Sequence, residues 1–258
     1  MTDNPAPIER IPERHYKQPP IVEALCEIYL AGSRWDLTVP GLFFERVRED
    51  YPQKAELAGV GIEVQLRPDQ AETRSLPVDS RMRFMKADSS RMLQLTRDLL
   101  VVNQLRPYPR YEDWRQEVHR AINIYRELAS PAGIDRIGVR YINRINLPGP
   151  LVRMEDYFRI YPELPQELGA AHGAFMLNLV LSAATPHQLQ LTLGTAPAEQ
   201  PGSMGFLLDI YDVAALGGRD AFGEVPGLLD QAHANIVHTF ENTITAALRS
   251  RFGEITDE

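Results

Sequence analysis

From Ile21 to Leu30 the chain alternates, with Ile21, Glu23, Leu25, Glu27 and Tyr29 on one side and Val22, Ala24, Cys26, Ile28 and Leu30 on the other. That period of two predicts a strand with one apolar face and one face carrying two carboxylates. The same period over Ile137–Leu147 puts Arg140, Ile142, Arg144 and Asn146 on one face and Val139, Tyr141, Asn143 and Ile145 on the other. Neither of those faces is cleanly apolar. Arginine is costly to bury unpaired, so these guanidinium groups must meet carboxylates, reach water or line an anion site.

Further strands are expected at Ile62–Leu66, Met82–Lys86, Arg91–Thr96, Leu99–Leu105, Phe175–Ala183, Gln188–Gly194 and Phe206–Val213. Asp88-Ser89-Ser90 and Arg97-Asp98 supply turns between neighbours. Helical spacing marks Thr38–Tyr51, a segment around Trp114, Val118, Ile122 and Tyr125, a short helix at Met154–Tyr161, and one long final helix at Leu228–Phe252. In that last helix Leu229, Ala232, Ile236, Phe240, Ile244, Ala247 and Leu248 face inward.

Strands joined by hairpin-length turns pair antiparallel, because parallel crossovers need helices that most of these strands lack. The expected class is therefore α+β: a mostly antiparallel, curved sheet packed on long helices. Residues 1–20 hold five prolines and read as an extended arm. Residues 21–130 and 134–254 then repeat one order, β-α-β-β-β-α, as two halves packed into one unit. Leu93-Gln94-Leu95-Thr96 recurs as Leu189-Gln190-Leu191-Thr192 at matching strands.

Composition narrows the picture. With 44% hydrophobic residues over 258 positions, the chain can build its own core. A single cysteine, Cys26, excludes an intramolecular disulfide or a cysteine-pair metal site and fits a reducing cytoplasm. No stretch has the form of an export signal or a membrane span; the longest apolar run, Phe175 to Ala184, is broken by Asn178 and Ser182. The formal charge of −8 disfavours nucleic acid, which would need Arg81, Arg83, Lys86, Arg91 and Arg97 to cluster.

Chemistry-bearing motifs are sparse. There is no nucleophile elbow or phosphate loop, and Gly59-Val60-Gly61 lacks the third glycine of a dinucleotide fingerprint. His233 and His238 are five apart and point about 140° from each other, so they form no zinc pair. Glu23 and Glu27 lie about 13 Å apart along their strand, too far for a carboxylate dyad. If the first strand lies beside Ile137–Leu147, they match the spacing of Arg140 and Arg144. Ion pairing across the strands is then the plain reading, and a small-anion site built from Arg140, Arg144, Asn146, Glu23 and Glu27 is the functional one. A metal site from Glu23, Glu27 and Asp209 is a lesser alternative. No catalytic residue, metal ligand set or cofactor is assigned.

Pro19-Pro20-Ile21-Val22-Glu23-Ala24 with Cys26-Glu27-Ile28, the Leu-Gln-Leu-Thr strand, Pro107-Tyr108 with Trp114, and Arg140-Tyr141-Ile142-Asn143-Arg144-Ile145 occur in order along nearly the whole chain. In these motifs and in length the chain resembles a sporadically distributed prokaryotic family without an assigned biochemical function. The resemblance implies a soluble accessory protein, fits mobile or defence-linked operons, and transfers no catalytic residue.

The functional expectation is a non-enzymatic cytoplasmic interaction or regulatory protein that binds a protein partner or forms a homodimer, with the proline-rich arm docking on a neighbouring subunit. The alternative is a small-anion binding protein or hydrolase with a polar cleft around Arg140 and Arg144.

Overall fold

A computed structural model describes residues 14–67, 70–165, 167 and 173–255, with side chains described outside 58–80 and 182. The elements are β1 (His15–Tyr16), β2 (Ile21–Ala31), α1 (Val39–Val47), β3 (Gln53–Arg67), β4 (Gln70–Met85), β5 (Arg91–Thr96), β6 (Leu99–Leu105), α2 (Tyr111–Ala129), β7 (Gly133–Pro148), β8 (Met176–Ser182), β9 (His187–Ala196), β10 (Ser203–Arg219), α3 (Val225–Thr243), α4 (Ala246–Phe252) and β11 (Glu254–Ile255). The class is α+β, and its pairings are antiparallel.

Nine strands form one sheet in the order β3-β4-β5-β6-β2-β7-β10-β9-β8. In each half the first strand, β2 or β7, pairs with that half's last strand, β6 or β10, and the two first strands meet at the centre. A single cross-strand row runs Leu93–Val102–Cys26–Val139–Asp212–Leu189. Its two ends are the opening residues of the repeated Leu-Gln-Leu-Thr stretches.

Alternation decides which face is covered. Ala24, Cys26, Ile28 and Leu30 of β2, Leu100 and Val102 of β6, and Ile137, Val139 and Ile145 of β7 join one core with Phe43 and Val47 of α1, Trp114, Val118 and Tyr125 of α2, and Leu229 and Ile236 of α3. Ile21 belongs to this face as well, because the β2–β7 register shifts between Ile21 and Glu23 and turns its side chain inward. On the opposite face Leu25, Leu99 and Val101 make a small separate cluster, with Tyr29 and Ile142 against it.

Several boundaries differ from the sequence reading. The first helix is Val39–Val47, shorter than Thr38–Tyr51, although Tyr51 still packs fully buried. At Met154–Tyr161 only Met154–Asp156 is helical, as a 3₁₀ turn. The final helix is two helices. Ile244 is extended (φ −103°, ψ 155°), and Thr245 caps α4 by accepting from the Leu248 amide. Thr243-Ile244-Thr245 is a β-branched run of low helix propensity. Its backbone is used elsewhere: Arg159 donates to Thr243, and Thr245 donates to Tyr157.

A buried polar cluster ties α3 to the sheet. Asp212, 0% exposed on β10, lies 2.5 Å from His187 Nδ1 and accepts a 2.7 Å bond from Asn235 Nδ2, whose Oδ1 accepts from Gln231. His187, one residue before the strand expected from Gln188, opens β9 and is buried.

Alkaline pH acts on buried phenols of both sheet faces. Burial pushes the phenols of Tyr16, Tyr51, Tyr111 and Tyr211 well above their usual range, and that of Tyr125 up to about 12. An unfolded tyrosine ionises near pH ~10, so above that value protons leave the unfolded chain first and favour it. Stability is fully present below about pH 10 and falls as pH rises towards the folded values. Urea midpoints along an alkaline series should drop in that window, and a midpoint unchanged at about pH 11 would contradict it.

Candidate functional site

Three elements of the core face and the N-terminal arm leave a cavity of about 650 Å³ between them. Its wall is formed by Tyr141 and Asn143 of β7, by Tyr108 and Tyr111 where the chain enters α2, and by His233, Ile236, Val237 and Phe240 of α3. Arg14 to Tyr16 and Pro19 to Ile21 close the remaining side.

The rings are linked by hydrogen bonds and stacking. Tyr141 Oη lies 2.9 Å from Tyr108 Oη and 2.7 Å from His233 Nδ1, so one hydroxyl serves two partners. Tyr111 stacks on the His233 ring at 3.8 Å between centroids and 4° between planes. Its hydroxyl donates to Asp230, which also holds Arg115 at 2.7 Å. Burial, followed by this bond to a carboxylate, raises the Tyr111 pKa and keeps the phenol protonated. Trp114 meets Tyr141 edge-on from behind the wall, and its indole Nε1 has no hydrogen-bond partner among the described residues. Asn143 is fixed by its bond to the Leu208 carbonyl.

The arm is held across the opening by its own chain. His15 and Tyr16 pair with Ile255 and Glu254, and Lys17 and Gln18 donate to the carbonyls of Gly253 and Phe252. The Tyr16 ring sits edge-on to Phe240 and Phe252, while its hydroxyl donates to Glu241 at 2.6 Å. Glu241 is 3% exposed and also receives Arg249, and Arg14 reaches both Glu241 and Glu254. Residues 15–18 of the expected arm thus dock on the C-terminal segment of the same chain, while residues 1–13 lie outside the described residues. Tyr16 finds its aromatic niche there, and the edge of Glu254–Ile255 accepts the backbone.

The residues singled out from sequence lie on the other face of the sheet. The first strand does border Ile137–Leu147, with Glu23 opposite Ile142, Leu25 opposite Arg140 and Glu27 opposite Gly138. Their charges are nevertheless matched elsewhere. Arg140 makes a bidentate pair with Asp209 of β10, Nε to Oδ1 being 2.8 Å, and this bond to a carboxylate raises its pKa further. Arg144 holds Glu199 at 2.9 Å and the Pro197 carbonyl, and Asn146 Oδ1 accepts from the Glu199 amide, so both side chains clip the β9–β10 turn. Glu23 accepts from Asn103 at 2.7 Å, and Glu27 accepts from Tyr211 at 2.8 Å. Ion pairing across strands is present on this face, but the partners of Arg140 and Arg144 are Asp209 and Glu199 and not Glu23 or Glu27.

His233 is the residue that spacing treats least well. Compared with His238 it makes no metal pair, yet it stands four residues after Leu229 and three before Ile236, on the inward stripe of α3. A titratable ring on a stripe that faces Tyr141 is the signal that marks the cavity. Among the described residues no three His, Cys, Asp or Glu side chains gather as a metal site, and no helix is long and apolar enough to cross a membrane. No family model and no curated protein matches the chain.

Proposed function

We propose that this chain is a non-enzymatic regulatory or accessory protein of the cytoplasm that works by binding, with its ligand seated in the cavity under the N-terminal arm. The observation that carries the reading is the Tyr108–Tyr141–His233 chain, backed by Tyr111, on one wall of that cavity. Such rings offer flat apolar area together with directed polar atoms, as sites that select a ligand by shape and a few hydrogen bonds do. The volume, about 650 Å³, falls within the ~300–1,000 Å³ typical of small-molecule pockets. Arg14 and Glu241 already neutralise each other on the arm side. The favoured ligand is therefore a small molecule, or a partner's side chain, with a planar body and a polar end.

The single buried cysteine supports a reducing compartment. The matching placement of each half's first and last strands and the shared row of the two Leu-Gln-Leu-Thr stretches support descent from one doubled unit, although the first half has five strands and the second four; the resemblance to a sporadic prokaryotic family supports an accessory role. The polar sheet face is the weaker candidate for an anion, because a ligand there must first displace Asp209 or Glu199 from its guanidinium group.

Screening a library of planar amide and heteroaromatic fragments by Trp114 fluorescence and thermal shift tests this reading. Tyr141→Phe keeps the ring but removes the hydroxyl shared by Tyr108 and His233. Affinity for hits should fall by about tenfold or more, the value of one or two lost hydrogen bonds. Fragments that bind both proteins alike, or no hits at all, would refute the pocket as the site.

A further inference from the structure

Strand β8 is one edge of the nine-stranded sheet, and among the described residues nothing pairs with its outer side. Edges are usually blunted by charge, proline or a bulge. This one reads Met176-Leu-Asn-Leu-Val-Leu-Ser182, with no charge and no proline, and its pairing with β9 runs without a register shift. Met176 is 79% and Val180 61% exposed. The opposite edge strand, β3, carries Lys54 and Glu56 near its start.

The ladder shows which backbone groups are unused. Thr195 donates to the Phe175 carbonyl, which makes Phe175 and Thr195 a hydrogen-bonded pair. By alternation Leu177, Leu179 and Leu181 bond to β9, while Met176, Asn178 and Val180 direct their amides and carbonyls away from the sheet. We propose that this edge is a homodimer interface, in which β8 of one copy pairs antiparallel with β8 of a second copy about a two-fold axis at Asn178.

The strand is its own complement in that register. Asn178 faces Asn178 and Met176 faces Val180, so about six outward backbone bonds are satisfied at once. On the exposed face apolar side chains meet apolar ones, with the two asparagine amides between them. On the other face Leu177 meets Leu179. Asn178 uses only one amide hydrogen, towards Thr192 Oγ1 at 2.8 Å, so its carbonyl oxygen is available to the facing asparagine. A partner with a charged or proline-bearing strand would leave some of these groups unmatched, whereas a second copy matches each of them.

Sedimentation velocity over a concentration series, combined with single-cysteine cross-linking, tests the register. The native Cys26 is buried, so an introduced thiol is the reactive one. Asn178→Cys places two thiols on facing residues with Cα atoms about 5.5 Å apart, within disulfide reach, and should give a covalent dimer on mild oxidation. In Val180→Cys the two thiols lie about 13 Å apart along the strands and should not cross-link. Asn178→Pro removes an outward amide without touching the β9 ladder and should raise the dimer dissociation constant by about tenfold or more. Val180→Lys, at an exposed position, should weaken the dimer as well and serves if the proline variant fails to fold. A chain that stays monomeric at every concentration overturns the proposal, as does a dimer that Asn178→Cys fails to trap and that Val180→Lys leaves intact.

Discussion

Asp212→Ala should destabilise the fold by about 3 kcal/mol or more, the cost of leaving two buried polar groups without their shared acceptor. Asp212 has no exposed surface, and its two oxygens are taken by His187 and Asn235, which are themselves 7% and 2% exposed. Alanine leaves both of those polar groups inside the core without their acceptor. Asp212→Asn retains a carbonyl oxygen and should cost markedly less, which separates the loss of the acceptor from the loss of side-chain volume. Urea unfolding of both variants at neutral pH provides the measurement. A cost below about 1 kcal/mol for alanine would show that the cluster does not hold α3 to the sheet. The effect reaches the cavity, because Asn235 stands two residues beyond His233 on the same helix.

Gly133→Ala should be nearly as damaging, at about 3 kcal/mol or more, for a steric reason. A Cβ at Gly133 would overlap the Gly218 carbonyl oxygen and come within 2.5 Å of the Arg219 carbonyl oxygen. Both obstacles are backbone. They sit where the β7–β10 register shifts between Ala215 and Arg219, and Gly217 and Gly218 there have φ of +65° and +77°. Gly138→Ala is the control in the same strand, because its Cβ would meet the hydroxyl end of Tyr211, which can swing aside at the expense of the bond to Glu27. Equal unfolding midpoints for the two variants would rule out backbone collision as the cause.

Local pattern carried the strands well where a turn of recognisable chemistry joined neighbours. Arg91–Thr96 and Leu99–Leu105 match β5 and β6 end to end. Asp88 accepts from both the amide and the hydroxyl of Ser90, and that turn sets the β4–β5 hairpin. The single final helix was misjudged because apolar spacing continues through Ile244 and Leu248, whereas the break comes from the pairing of Thr243 and Thr245 with residues 157 to 159. Arg140 was legible as a group in need of a carboxylate. Its partner was not, since strand order decides that the neighbour is Asp209 on β10 rather than Glu27 on β2. The cavity was hidden for the same reason: Tyr16, Tyr108, Tyr141 and His233 each look like ordinary core or arm residues within their own elements, and only long-range packing brings them together.

The sheet order also dictates a sequence of events during folding. The β5–β6 and β9–β10 hairpins close over short loops and can form early, as soon as their strands leave the ribosome. Strand β2 has no neighbour until β6 has been made, and β7, which pairs with β2 on one side, waits for β10 on the other. The apolar face of β2 is therefore left uncovered until both neighbours have been made, and joining the halves along the seam is the step of highest sequence separation, which slows folding.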